Sequence, residues 1–322
     1  EYQFSVKVGT PKDAEAAKRG TTATRWNAFR CLMSNEPIPY DYIRKEGVDG
    51  RMSSRLMAVV AEGSRERVYL PPTCGMETTA LGARPEWGPE LAINYHPRDI
   101  KTQIYGLTTY RDLFTPRQLT ALSTFADLVT KVREQVWRDA VVAGLPEDSR
   151  PLRDGGLGAS AYADAVAVYL GLGVGRSANY WSSLTTWGGD FIVQTFGRQA
   201  LPMVWDHAEG NPLSTSTGNW TGALEWIEKV IINALPAVQN GVAIQADAQT
   251  QEISRDLVVS TDPPYYDNIG YADLSDFFYV WLRRALQPML PDLFSTLAVP
   301  KAEELVATPY RHGNKEKAEI FF

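Results

Sequence analysis

Asp256-Leu257-Val258-Val259-Ser260-Thr261-Asp262-Pro263-Pro264-Tyr265-Tyr266-Asp267 is the stretch on which the fold assignment turns. Its apolar run, Leu257 to Ser260, reads as a buried strand ending in a turn with a carboxylate, two prolines and an aromatic ring. In open α/β sheets ligands bind beyond the carboxyl ends of strands, so Asp262 stands where a catalytic group is expected. The prolines fix the backbone there. By themselves, the four residues Asp262 to Tyr265 are also a stiff turn closing a strand, and that structural role stands beside the chemical one.

Working outward, Val242 to Ala246 is a second apolar strand candidate. A helix from Thr221 to Leu235 precedes it, with Leu224, Ile227, Ile231 and Leu235 on one stripe and Pro236 at its end; another follows from about Leu274 to Leu286. Helix, strand, strand, helix is the order of part of an α/β open sheet. Farther upstream, Thr115-Pro116-Arg117-Gln118 predicts a helix start. Thr115 caps, Gln118 reaches back, and Pro116 takes the position where a missing N–H costs nothing. Leu119, Leu122, Phe125, Val129, Val132 and Val136 continue at helical spacing, and Gly144 with Pro146 supplies the stop. Another helix is expected over about 159–184. Leu56 to Ala61 and Arg67 to Leu70 predict a hairpin around Gly63, and Tyr2 to Val8 alternates as a half-buried strand would. Residues 9–28 read as irregular. The chain divides on this basis into a loop-rich β insert over 1–114, a helical region over 115–220 and a catalytic α/β portion over 221–322.

The 322 residues are 44% hydrophobic and 22% charged, a globular composition that excludes a disordered or collagenous chain. Cys31 and Cys74 are the only cysteines, too few for a disulfide framework or a four-cysteine zinc site, and His96, His207 and His312 form no ligand pair. No metal is expected. No apolar run reaches the roughly 18 residues of a membrane span, so no membrane partner and a cytoplasmic location are expected. The net charge of −6 excludes nonspecific coating of nucleic acid. Residues 1–69, however, carry 12 Lys and Arg against 9 Asp and Glu, while the remainder carries 20 against 29. A nucleic-acid partner would meet that first part, where Arg25, Arg30, Arg44, Lys45, Arg51 and Arg55 could contact phosphate or simply form a solvated basic face. Trp181, Trp187, Trp205 and Trp220 could stack on bases, with packing as the plainer role.

The motif resembles the amino-group methyltransferases dependent on S-adenosylmethionine, whose signature is Asp/Asn/Ser-Pro-Pro-Tyr/Phe after a central strand. Asp262 through Arg284 is similar to a narrower group, the large adenine-specific DNA methylases associated with a Zn-ribbon. So are Phe29 to Leu32, Gly50-Arg51-Met52, Arg55 to Gly63, Phe196 to Asp206 and Gly218-Asn219-Trp220. The resemblance implies a partial Rossmann-like methyltransferase sheet with a loop-rich, partly helical insert. It also implies S-adenosylmethionine as cofactor and DNA as partner, and leaves room for other subunits of a modification or defence system. The Zn-ribbon lacks its cysteine spacing here.

The resemblance assigns Asp262, Pro263, Pro264 and Tyr265 as the catalytic set. An exocyclic purine amine is a poor nucleophile because its lone pair is delocalised into the ring. The Asp262 carboxylate and the Pro263 carbonyl accept its N–H hydrogens and turn the lone pair outward, and Tyr265 stacks on a base extruded from the duplex. Aspartate at the first position favours adenine over cytosine. Asp247 is a candidate contact to the cofactor's adenine or a turn residue. Leu170-Gly171-Leu172-Gly173-Val174-Gly175-Arg176 is the one run formally compatible with a nucleotide loop, but its alanine-rich lead-in has helical spacing; in the family that the chain resembles the glycine turn lies far upstream, so the resemblance implies one before Glu1. An RNA acceptor and a DNA-binding scaffold without catalysis are the alternative readings.

Overall fold

The capping box at Thr115 starts the longest helix of the computed structural model, which describes residues 3–23, 27–234, 244, 246–247, 250–262 and 265–322. The Thr115 N–H donates to Gln118 Oε1 at 2.8 Å, and the Gln118 N–H donates to Thr115 Oγ1 at 3.3 Å. Helix α4, Pro116–Val142, then runs until Gly144, whose φ of +93° a side chain would strain. The described residues form two units, one of residues 1–128 and 178–209, the other of residues 129–177 and 210–322.

In the first unit, α1 (Ala14–Arg19), α2 (Tyr40–Val48) and α3 (Cys74–Leu81) precede α4. Its sheets are three antiparallel pairs: β1 (Asn27–Arg30) with β2 (Pro37–Pro39), β3 (Val59–Glu62) with β4 (Arg67–Leu70), and β5 (Thr186–Trp187) with β6 (Ile192–Val193). The predicted hairpin is present, with Val59 opposite Leu70 and Glu62 opposite Arg67, closed by the Gly63 N–H donating to the Glu66 carbonyl. Ala28, Ile43 and Tyr105 form a small core against Phe29, Ile38, Tyr40, Met52 and Met203. Helix α1 falls in the stretch read as irregular; the Asp13 side chain accepts from the Ala16 N–H at 2.9 Å and nucleates it. Tyr2 to Val8 departs from expectation: residues 3–8 are not a strand, and Val8 is exposed, because alternation alone provides no partner for the backbone.

In the second unit, α5 (Ala159–Ala178, to Ser177), α6 (Trp220–Ala234) and α7 (Tyr271–Leu286) lie close to their expected bounds, and α8 (Pro309–His312) and α9 (Lys315–Phe321) follow. The glycines of α5 are packing positions. A Cβ on Gly171 would come within 2.5 Å of Leu286 Cδ2, and one on Gly173 within 2.9 Å of Leu224 Cδ2, so their absence lets α7 and α6 approach.

The molecule is therefore mixed α and β, with sheets of two strands only among the described residues. The predicted strand Leu257 to Ser260 is corrected: those residues are irregular, and Leu257, Val258 and Val259 are exposed. A buried strand needs a neighbour to take its N–H and C=O groups, and none lies beside it among the described residues. Most of Val242 to Ala246 lies outside the described residues. No described helix is long and apolar enough to cross a membrane.

Candidate functional site

The corner begins after a turn at Ile253–Asp256, where the Gln251 side chain accepts from the Ile253 and Ser254 N–H groups. The chain then runs irregularly to Asp262, which is exposed. Pro263 and Pro264 lie outside the described residues. Beyond them the Tyr265 hydroxyl donates to Asp262 Oδ1 at 3.1 Å. Asp262 and Tyr265 of the predicted set are thus brought together. That hydrogen bond, foremost, and the carboxylate's charge raise the Tyr265 pKa above its ordinary value, so the phenol stays a donor. A carboxylate offers about four lone-pair sites, so one phenolic donor leaves room for an incoming N–H. The Tyr265 residue is 59% exposed, and its ring is held beside the carboxylate by its own hydroxyl.

The chain turns next, with the Asn268 N–H donating to the Tyr265 carbonyl at 3.0 Å, and enters α7 at Tyr271. Helix α7 buries two carboxylates, Asp273 and Asp276, among Leu274, Phe277, Val280 and Trp281. Each meets a cation from a later segment. Lys301 Nζ lies 2.6 Å from Asp276 Oδ2, and Arg311 bridges Asp273 Oδ2 at 2.7 Å and Glu304 Oε2 at 2.6 Å. Sequence reasoning passed over this network, although acids three residues apart on an otherwise apolar helix face demand buried cations.

Asp247 is exposed, and its carbonyl accepts from the Gln251 N–H at 3.0 Å, the geometry of a turn residue. The glycine-rich run is the packed interior of α5 and cannot wrap a ligand. The glycine-rich run therefore supplies no turn for the methionine end of S-adenosylmethionine, and the chemistry assigned to the corner concerns the acceptor.

Most of the other candidates have structural partners. Arg51 is held by Glu46 and Asp49, both at 2.7 Å, Arg55 by Glu77 at 3.0 Å and Arg44 by Asp41 at 3.0 Å. The Arg30 guanidinium donates to the Asn35 carbonyl at 3.1 Å, and Arg25 lies outside the described residues. Trp181 is buried against Phe125, Trp205 meets Phe29 and Tyr105 edge-on, and Trp187 lies under Arg67. Packing explains these rings. Cys31 and Cys74 are free thiols. No family model, curated protein or solved structure matches the chain.

Proposed function

We propose that this chain carries the target-recognition and catalytic portion of an adenine-N6 DNA methyltransferase, related to the large adenine-specific DNA methylases and built on a Rossmann-like methyltransferase framework. Its methyl donor is S-adenosylmethionine and its partner is DNA. One observation carries the proposal: Asp262 and Tyr265, separated by two prolines, form an exposed carboxylate and aromatic pair joined by a hydrogen bond. Asp262 accepts one N–H of the exocyclic amine, and the Pro263 carbonyl is assigned the other from the sequence. With both hydrogens engaged, the nitrogen lone pair leaves conjugation and becomes the nucleophile. Stiff prolines keep the acceptors from reorganising, which is where such a site gains its rate. The exposed Tyr265 ring offers a surface on which an extruded base can stack.

Transfer of a radiolabelled methyl group from S-adenosylmethionine to unmethylated duplex DNA, by the full-length protein and its Asp262→Ala variant, tests this. Loss of an acceptor aimed at the reacting nitrogen is expected to slow transfer by about 100-fold or more. Equal rates would overturn the proposal, and preferential labelling of structured RNA offered in competition would remove DNA as the substrate.

A further inference from the structure

The residue after Tyr265 adopts a backbone conformation that it does not favour alone. Tyr266 has φ +56°, in the left-handed region that bulky side chains rarely enter and that persists only where surroundings over-determine it. Three contacts hold it, all from residues 307–322. The Ala307 N–H donates to the Tyr266 carbonyl at 2.9 Å, the Tyr266 hydroxyl donates to Glu319 Oε1 at 3.2 Å, and its ring meets Phe322 edge-on at 5.1 Å.

Residues 299–311 form a strap across α7. Val306, Ala307 and Thr308 are buried, and the strap is tied down on both sides of them. Upstream, Asp276 accepts from the Val299 N–H at 2.7 Å and from Lys301 Nζ at 2.6 Å. Downstream, Arg311 joins Asp273 of α7 to Glu304 of the strap, and Glu304 Oε1 accepts from the Ala272 N–H at 2.9 Å. Burial pulls the Arg311 guanidinium down, but hydrogen bonds to both carboxylates leave it raised, so it is charged at every working pH. A planar guanidinium holds its donors in a rigid fork and so fixes the geometry between two carboxylates, whereas the rotatable donors of an ammonium fix it less. The closed circuit of Ala272, Glu304, Arg311 and Asp273 fixes one register of strap against helix. That register sets the Ala307 N–H on the Tyr266 carbonyl.

We propose that Arg311 is a positioning residue: by locking the strap to α7 it holds Tyr266 left-handed and so aims Asp262 and Tyr265 at the acceptor amine. The catalytic consequence rests on the methyltransferase reading; the mechanical one does not. Hydrogen exchange by mass spectrometry on the full-length protein separates them. Arg311→Gln should raise exchange in peptides covering 265–272 and 304–311 by about tenfold while leaving α4 unchanged, and Arg311→Lys should fall between it and the parent. In methyl transfer, kcat should drop about 10- to 100-fold with the KM for DNA within about twofold, the signature of misaimed rather than lost binding. Unchanged exchange over 265–272 overturns the proposal. If Arg311→Gln loosens α4 too, Glu304→Gln decides, since it retains an acceptor for the Ala272 N–H: acceleration confined to 265–272 supports the proposal and none refutes it. A parent protein that transfers no methyl group removes the proposed reaction, while the exchange result still judges Arg311.

Discussion

Asp276 bears the cost of its burial in α7. Burial raises its pKa above the ordinary carboxylate value, outweighing the hydrogen bonds from Lys301 and the Val299 N–H. The native state therefore binds this proton more tightly than the unfolded chain does. The corresponding stability is complete below the ordinary value and is lost as pH rises through the raised one. Relative to Asp276→Asn, the parent should lose stability as pH climbs from about 3.5 toward neutrality. Urea midpoints across that range check the sign, and a difference moving the other way would contradict it. At this scale the motif Asp262 to Tyr265 was legible as residue types, whereas the hydrogen bond that joins its two ends was not. Arg311 was not: its partners lie 7 and 38 residues away, and no local pattern pairs them.

Helices follow their sequence signals closely, since capping and 3.6-residue periodicity act within a turn or two. The capping box of α4 and the apolar stripes of α6 and α7 appear close to where the spacing puts them. Within α5 the glycines separate two physical situations. Gly171→Ala places a methyl 2.5 Å from Leu286 Cδ2 and 2.6 Å from its Cγ, so overpacking of about 1–3 kcal/mol exceeds the helix-propensity gain of about 1. Gly175→Ala meets only the end of Leu282 at 3.3 Å, which can yield, and should stabilise slightly. Thermal or urea unfolding of the two variants should give opposite signs; destabilisation by both would mean that α5 tolerates no closer packing along its length. Strands were less legible than helices. Hairpin β3–β4 supplies its own partner across a short turn and formed as expected, whereas Leu257 to Ser260 and residues 3–8 depend on pairing that their own sequence cannot specify.

Across the whole molecule, the field offered to nucleic acid depends on which cations have acids beside them. Arg44 and Arg51 lie against Asp41, Glu46 and Asp49, acids already counted in the surplus of residues 1–69, and Arg55 lies against Glu77 from outside it, so these three add little field at a distance. Arg51→Gln is accordingly expected to change duplex-DNA affinity by less than about twofold and the salt slope by much less than the unit of a phosphate contact, measured by fluorescence anisotropy at several salt concentrations. A full unit lost would restore Arg51 as a phosphate contact. By itself the sequence determined helices α4 to α7 and the hairpin, because capping, periodicity and turn chemistry operate over a few residues. Only the tertiary structure decided that the glycine run of α5 is a packing seam, that Arg55 pairs with Glu77 22 residues away, and that a distant strap holds Tyr266. Each of those depends on which surfaces meet, and burial and charge pairing between remote residues are settled only when the chain has folded.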